Sequence, residues 1–209
     1  MSEAFLAGAR AAHRLVASSV VGDRWSESSV LPGMSTGELA AHLARAVLQV
    51  DAYRSRGTST PVTTDAVGYF ADLAGTAEPD SVLNVGVRER AAASAADGHG
   101  ALVGALEAAL VRLGAALPTA PRDEVVVVGH RRDQVLLLSE YLRTRCVELA
   151  VHLEDLALSV DAAPEVPAAT VGEAVDLLQA AARRRYGDAA VLRALARRER
   201  DTVDAARVL

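Results

Sequence analysis

Lysine is absent, and all 22 basic residues of the 209-residue chain are arginine. Lysine Schiff-base and lysine general-base chemistry are therefore excluded. A single cysteine, Cys146, excludes an intramolecular disulfide and a Cys-rich zinc knuckle. It sits inside an apolar segment, where a free Cys behaves as a small hydrophobe rather than a reactive thiol. Aromatic residues make up only 3% of a chain that is 51% hydrophobic, most of it Ala and Leu, and this composition points to packed helices. No uninterrupted apolar run reaches the ~18 residues of a membrane span. Glu3, Arg10 and Arg14 interrupt the N-terminal segment, which does not read as a signal peptide. The net charge of −5 speaks against a nucleic-acid partner. The expectation is a soluble, cytoplasmic, all-α protein with neither a nucleic acid nor a membrane as its partner.

Hydrophobic spacing predicts a first helix from Glu3 to Val20, with Phe5, Leu6, Ala9, Ala12 and Val16 on one face. Residues 22–34 form a connection, and Ser35-Thr36-Gly37-Glu38 reads as a capping box opening a second helix that runs to Arg54. The segment Gly57–Asp80 reads as a long loop with a short helical turn near Val67–Leu73, a length that suits a binding or lid element. A third helix spans Val82–Leu117, interrupted at Asp97-Gly98-His99-Gly100. His13 and the glycine-flanked His99 read as residues outside any site, His99 as exposed. Glu124–Gly129 is a lone β-like run, packed as an extended segment over the helices. A fourth helix covers Val135–Val160, and after a linker at 161–170 two short helices span Val171–Tyr186 and Asp188–Val208. The arginine runs 183–185 and 197–198 read as solvated helix faces. The chain divides into a bundle over 1–160 and a linker with a helical extension over 161–209.

Two segments carry the chemistry. From Cys146 to Leu158 the polar residues are Glu148, His152, Glu154 and Asp155 alone, so this helix is apolar nearly all round and reads as buried. Tyr141, Arg145, Glu148, His152 and Asp155 follow a four, three, four, three spacing that makes one continuous stripe. A carboxylate and an imidazole side by side in an apolar interior require a partner. A divalent metal supplies one, with His42, on the inner stripe of the second helix, as third ligand. Two histidines and one carboxylate leave coordination positions free, and ligands of this kind project from facing helices of bundles. Spacing alone leaves open a salt bridge between Glu148 and Arg145 with His152 a satisfied core histidine.

The stretch Leu31–Leu43, including Pro32-Gly33-Met34-Ser35-Thr36-Gly37-Glu38 and His42, resembles the first signature of the mycothiol-dependent maleylpyruvate isomerase N-terminal domain, a family within the DinB-like superfamily of metal-binding four-helix bundles. Tyr141–Leu156, of the form R-x-x-E-x-x-x-H-x-x-D-L, is similar to its second signature. The resemblance implies an antiparallel four-helix bundle over residues 1–160. It also implies a divalent ion (zinc first, with nickel, iron or manganese alternatives) on His42, Glu148 and His152. It further implies a thiol cosubstrate of the mycothiol type, which a metal would bind as thiolate. Asp155 is cast as the acceptor of His152's second ring N–H, Arg145 as a residue orienting Glu148 or meeting an anionic substrate, and Tyr141 as a further neighbour. No catalytic residue is assigned.

Two function classes remain open at this point. One is a metal- and thiol-dependent transferase or isomerase acting on a small electrophile. The other is a non-catalytic metal-binding bundle serving as an interaction or regulatory module. A homodimer is compatible with either. A DNA-binding reading rests on the arginine runs alone.

Overall fold

A computed structural model describes residues 1–54, 60–72, 81–129 and 134–196. The chain is helical apart from one small sheet, in keeping with the all-α expectation. Helix α1 (Ser2–Val16) buries Phe5, Leu6, Ala9, Ala12 and Val16. It ends four residues before the predicted limit. Ser18 turns to an extended backbone and its hydroxyl donates to the Leu15 carbonyl at 2.6 Å, which competes with continuation of the helix; α2 (Ser19–Asp23) then starts anew.

Helix α3 (Thr36–Arg54) opens with the predicted capping box. The Ser35 amide donates to Glu38 Oε2 at 2.6 Å, and the Glu38 amide donates to Ser35 Oγ at 3.2 Å. Helix α4 (Ala66–Ala71), capped by Asp65 Oδ1, is the helical turn expected inside the long connection. The Gly57 and Asp80 ends of that connection lie outside the described residues. The predicted third helix is two: α5 (Val82–Ala95) and α6 (His99–Ala116), separated where Gly98 adopts φ +83°, a conformation that favours glycine. A 3₁₀ turn at Leu117–Thr119 ends α6.

The β-like run does not lie alone. Strand β1 (Val125–Val127) pairs antiparallel with β2 (Val135–Leu137), Val126 opposite Leu136 with both buried. Helix α7 (Leu138–Ser159) therefore begins three residues later than predicted, because a short apolar run such as Val135–Leu138 has the same periodicity signature in either state. Helix α8 (Ala168–Tyr186) and α9 (Asp188–Ala196) follow; the rest of the predicted last helix, with the arginines at 197–198, lies outside the described residues.

Helices α1, α3, α6 and α7 surround a shared core, α1 and α3 each contacting the other three, in which Phe5, Leu39, Leu43, Leu106, Leu113, Tyr141 and Leu149 are fully buried. Burial of such side chains, at about 1.5–3 kcal/mol each, is what holds the helices together. Helix α5 packs on α3, and α8 packs along α7, α4 and α1. The buried Thr170 hydroxyl of α8 donates to the Ala4 carbonyl at 2.7 Å, and Leu177 joins the same core. Among the described residues one segment, His99–Thr119, is long and apolar enough by length and composition to cross a membrane, although Glu107 and Arg112 interrupt its apolar run. In the fold its Leu102, Leu106, Ala109 and Leu113 face the core.

Candidate metal centre

The site lies between α3 and α7. The position of α3 is set at its start, where the Trp25 indole rests on Gly37; a Cβ there would stand 2.5 Å from Trp25 Cε2. One and a half turns later His42 projects toward α7, with its ring edge-on to that of His152 (centroids 4.5 Å apart). On α7 the predicted stripe holds: Tyr141 and Arg145 are buried, and Glu148, His152 and Asp155 are partly buried.

Three donor atoms converge. His42 Nε2 and His152 Nε2 are 3.1 Å apart, Glu148 Oε2 is 3.5 Å from His152 Nε2, and it is 3.9 Å from His42 Nε2. Donors about 2.1 Å from a common centre stand about 3.0 Å apart at right angles and about 3.4 Å apart at tetrahedral angles. Two of the three separations match that requirement, and the third is a few tenths wider. His152 Nδ1 meets Asp155 Oδ2 at 3.0 Å, so its second nitrogen is oriented by a carboxylate, as is common for metal-bound histidine. His42 Nδ1 is buried without a hydrogen-bond partner among the described residues, which leaves Nε2 as the nitrogen with something to bind. The donor set of two imidazoles and one carboxylate thus fits a divalent ion.

The electrostatics of the three groups are tightly linked. Burial, then the charge of His152, pushes His42 down to about 4, so it is neutral at pH 7. Burial acts downward on His152 too, but the hydrogen bonds to Asp155 and Glu148 outweigh it and raise His152 to about 9. Glu148 is driven the other way: burial raises it, yet His152 and the Arg145 guanidinium hold it far below the usual carboxylate range. Without an ion, a proton on His152 therefore balances the carboxylates, and a cation held at Nε2 would have to displace that proton.

Beside the three donors opens a cleft whose wall sequence reasoning largely missed. Arg45 and Gln49 come from α3, Leu83, Val87 and Arg90 from α5, and Tyr69 from α4. Arg45 and Gln49 follow His42 at three and seven residues, so extending that helical stripe finds them; Leu83, Val87 and Arg90 share a similar spacing on α5. Tyr69 carries no such signal, since its place depends on the path of the connection. Neither Arg45 nor Arg90 has a carboxylate partner among the described residues, and burial together with the Arg90 charge lowers the pKa of Arg45. Tyr141 O–H donates to Gln49 Oε1 at 3.5 Å, and Gln49 also lines the cleft. Arg145 stacks 4.9 Å from the Tyr141 ring centroid.

The other candidates stay outside. His13 Nε2 is buried without a partner among the described residues and does not line the cleft. His99 is not exposed as expected: it packs on Trp25 and its Nε2–H donates to the Val16 carbonyl at 2.6 Å, tying the start of α6 to the end of α1. Cys146 is fully buried, and burial followed by the Glu173 charge pushes its thiol up to about 12. It offers no nucleophile at neutral pH.

Neither curated proteins nor solved structures give a match to the chain. The family model described as the mycothiol maleylpyruvate isomerase N-terminal domain matches residues 5–157, a span that runs from the core of α1 to the last turn of α7 and takes in His42, Glu148 and His152. With both signature segments inside it, the chain belongs to the mycothiol maleylpyruvate isomerase N-terminal domain family.

Proposed function

We propose that the protein is a divalent-metal-dependent transferase or isomerase that joins a low-molecular-weight thiol of the mycothiol type to a small anionic electrophile. The observation that carries the reading is the convergence of His42 Nε2, His152 Nε2 and Glu148 Oε2 at the end of an arginine-lined cleft. These residues would hold the ion, with zinc the first candidate for a mixed nitrogen and oxygen donor set and nickel, iron or manganese compatible with it. When bound, such an ion supplies the Lewis acidity that keeps an exogenous thiol deprotonated at neutral pH.

The remaining work belongs to the chain's own side chains. Asp155 fixes the ring of His152 through Nδ1. Arg45 and Arg90 place two positive charges on one wall, neither with a carboxylate partner among the described residues, where an anionic group of the substrate supplies a counter-charge. The amide N–H₂ of Gln49, which lines the cleft, is a further candidate donor to a carbonyl or carboxylate oxygen. Leu83 and Val87 supply the apolar part of the wall and restrict water there. No lysine exists and the Cys146 thiol is buried, so an attacking thiolate comes from outside the chain. The test is electrophile consumption by metal-loaded protein with and without mycothiol. Consumption that depends on both supports the reading; metal-loaded protein that neither binds nor turns over thiol replaces it with a non-catalytic metal-binding module.

A further inference from the structure

Glu148 presents its two carboxylate oxygens to different partners. Oε2 faces the imidazoles, while Oε1 lies 3.8 Å from Arg145 Nη2. Arg145 is only 5% exposed, and Glu148 is its one carboxylate partner among the described residues. A buried guanidinium without a counter-charge is costly, so Arg145 retains a claim on Oε1. The guanidinium cannot follow if the carboxylate rotates. Its Nε donates to Thr144 Oγ1 at 3.1 Å, its Nη2 donates to the Tyr69 hydroxyl at 3.4 Å, and Tyr141 packs on its face.

We infer that Arg145 is a positioning residue that holds Glu148 to one-oxygen ligation and so keeps a coordination position open for an exogenous ligand. The inference rests on the metal reading above. If Glu148 turned both oxygens to an ion, Arg145 would be stranded and the position an incoming thiol needs would be filled. The arrangement has a cost, because a fixed positive charge close to the ion weakens ion binding. That cost separates this role from simple packing. Loss of an ordinary supporting residue lowers metal affinity about 10–100-fold. Loss of Arg145 removes a repulsion and frees Oε1, so the ion is held at least as tightly.

Co(II) loading of wild type, Arg145→Met and Arg145→Lys tests this. Wild type takes up one equivalent, and 2-mercaptoethanol adds a near-ultraviolet sulfur-to-cobalt band. Arg145→Met retains Co(II) with equal or higher affinity, loses visible d–d absorption as the coordination number rises, and loses the sulfur band. Arg145→Lys restores both signals. If Arg145→Met does not fold, Arg145→Gln, which removes the charge but keeps a polar stem, is read in the same way. A tenfold or greater loss of Co(II) affinity in the folded neutral variant, or a spectrum equal to that of wild type, overturns the inference while leaving the metal reading intact. Wild type that takes up no Co(II) overturns both.

Discussion

The Trp25 indole lies against Gly37 so closely that an added Cβ would meet Cε2 at 2.5 Å and Cδ2 at 2.6 Å. This contact seats the first turn of α3 and thereby the approach of His42 to α7. Gly37→Ala forces the indole or the helix start to shift, at about 1–3 kcal/mol for an overpacked contact. A lower Tm and a parallel loss of metal affinity are expected, read by thermal denaturation and metal titration. Unchanged values for both would show that α3 is seated by other contacts.

Metal affinity is expected to depend on pH through His152 rather than His42. His152, raised to about 9, is protonated at neutral pH in the ion-free site, whereas His42, lowered to about 4, is not. Affinity therefore falls by about tenfold per pH unit between pH 9 and the acidic range as one proton competes, and a second proton enters only near pH 4. Calorimetry at pH 7 in buffers of different ionisation enthalpy is expected to find close to one proton released per ion. Release of none, or of two, contradicts the assignment.

The same shift sets the stability of the ion-free protein. The folded-state value of His152 is raised above the ordinary 6.5, so its contribution is fully present below pH 6.5 and is lost as pH rises through about 9. The Tm of ion-free protein is expected to drop across that window. His152→Gln removes the dependence, and a variant whose Tm still falls with pH in the same way argues against this origin.

Arg45→Gln and Arg90→Gln are each expected to leave metal content unchanged, since neither side chain bonds to the three donors among the described residues. Each raises KM for an anionic electrophile by about tenfold or more, the scale of a lost charged hydrogen bond. A neutral electrophile loses little in either variant. Equal effects on neutral and anionic substrates would mean that the two arginines shape the cleft without binding charge.

The helical stripe from Tyr141 to Asp155 was legible because five polar residues at helical spacing in an apolar segment have one geometric meaning. Glu38, three residues after Ser35, marked the start of α3 for the same local reason. What was not legible depended on contacts between distant parts of the chain. The strand character of Val135–Leu137 appears only with its partner Val125–Val127, and His99 is drawn inward by Trp25 and the Val16 carbonyl rather than by its own neighbours. Tyr69 reaches the cleft through the anchoring of α4: Asp65 caps it, Glu140 accepts the Ala66 amide, and α8 packs behind it. Arg90 faces Arg45 because α5 packs on α3, a pairing that helical periodicity in either segment does not encode.

The central claim is that His42, Glu148 and His152 bind one divalent ion, and elemental analysis of purified variants tests it most directly. Wild type, His13→Ala and His99→Ala are expected to carry about one equivalent, whereas His42→Ala, Glu148→Ala and His152→Ala lose most of it, the loss of a ligand from a three-residue site. Far-UV circular dichroism of each variant confirms that the helices remain. Equal metal content in all five variants and wild type, with the fold intact, would contradict the account.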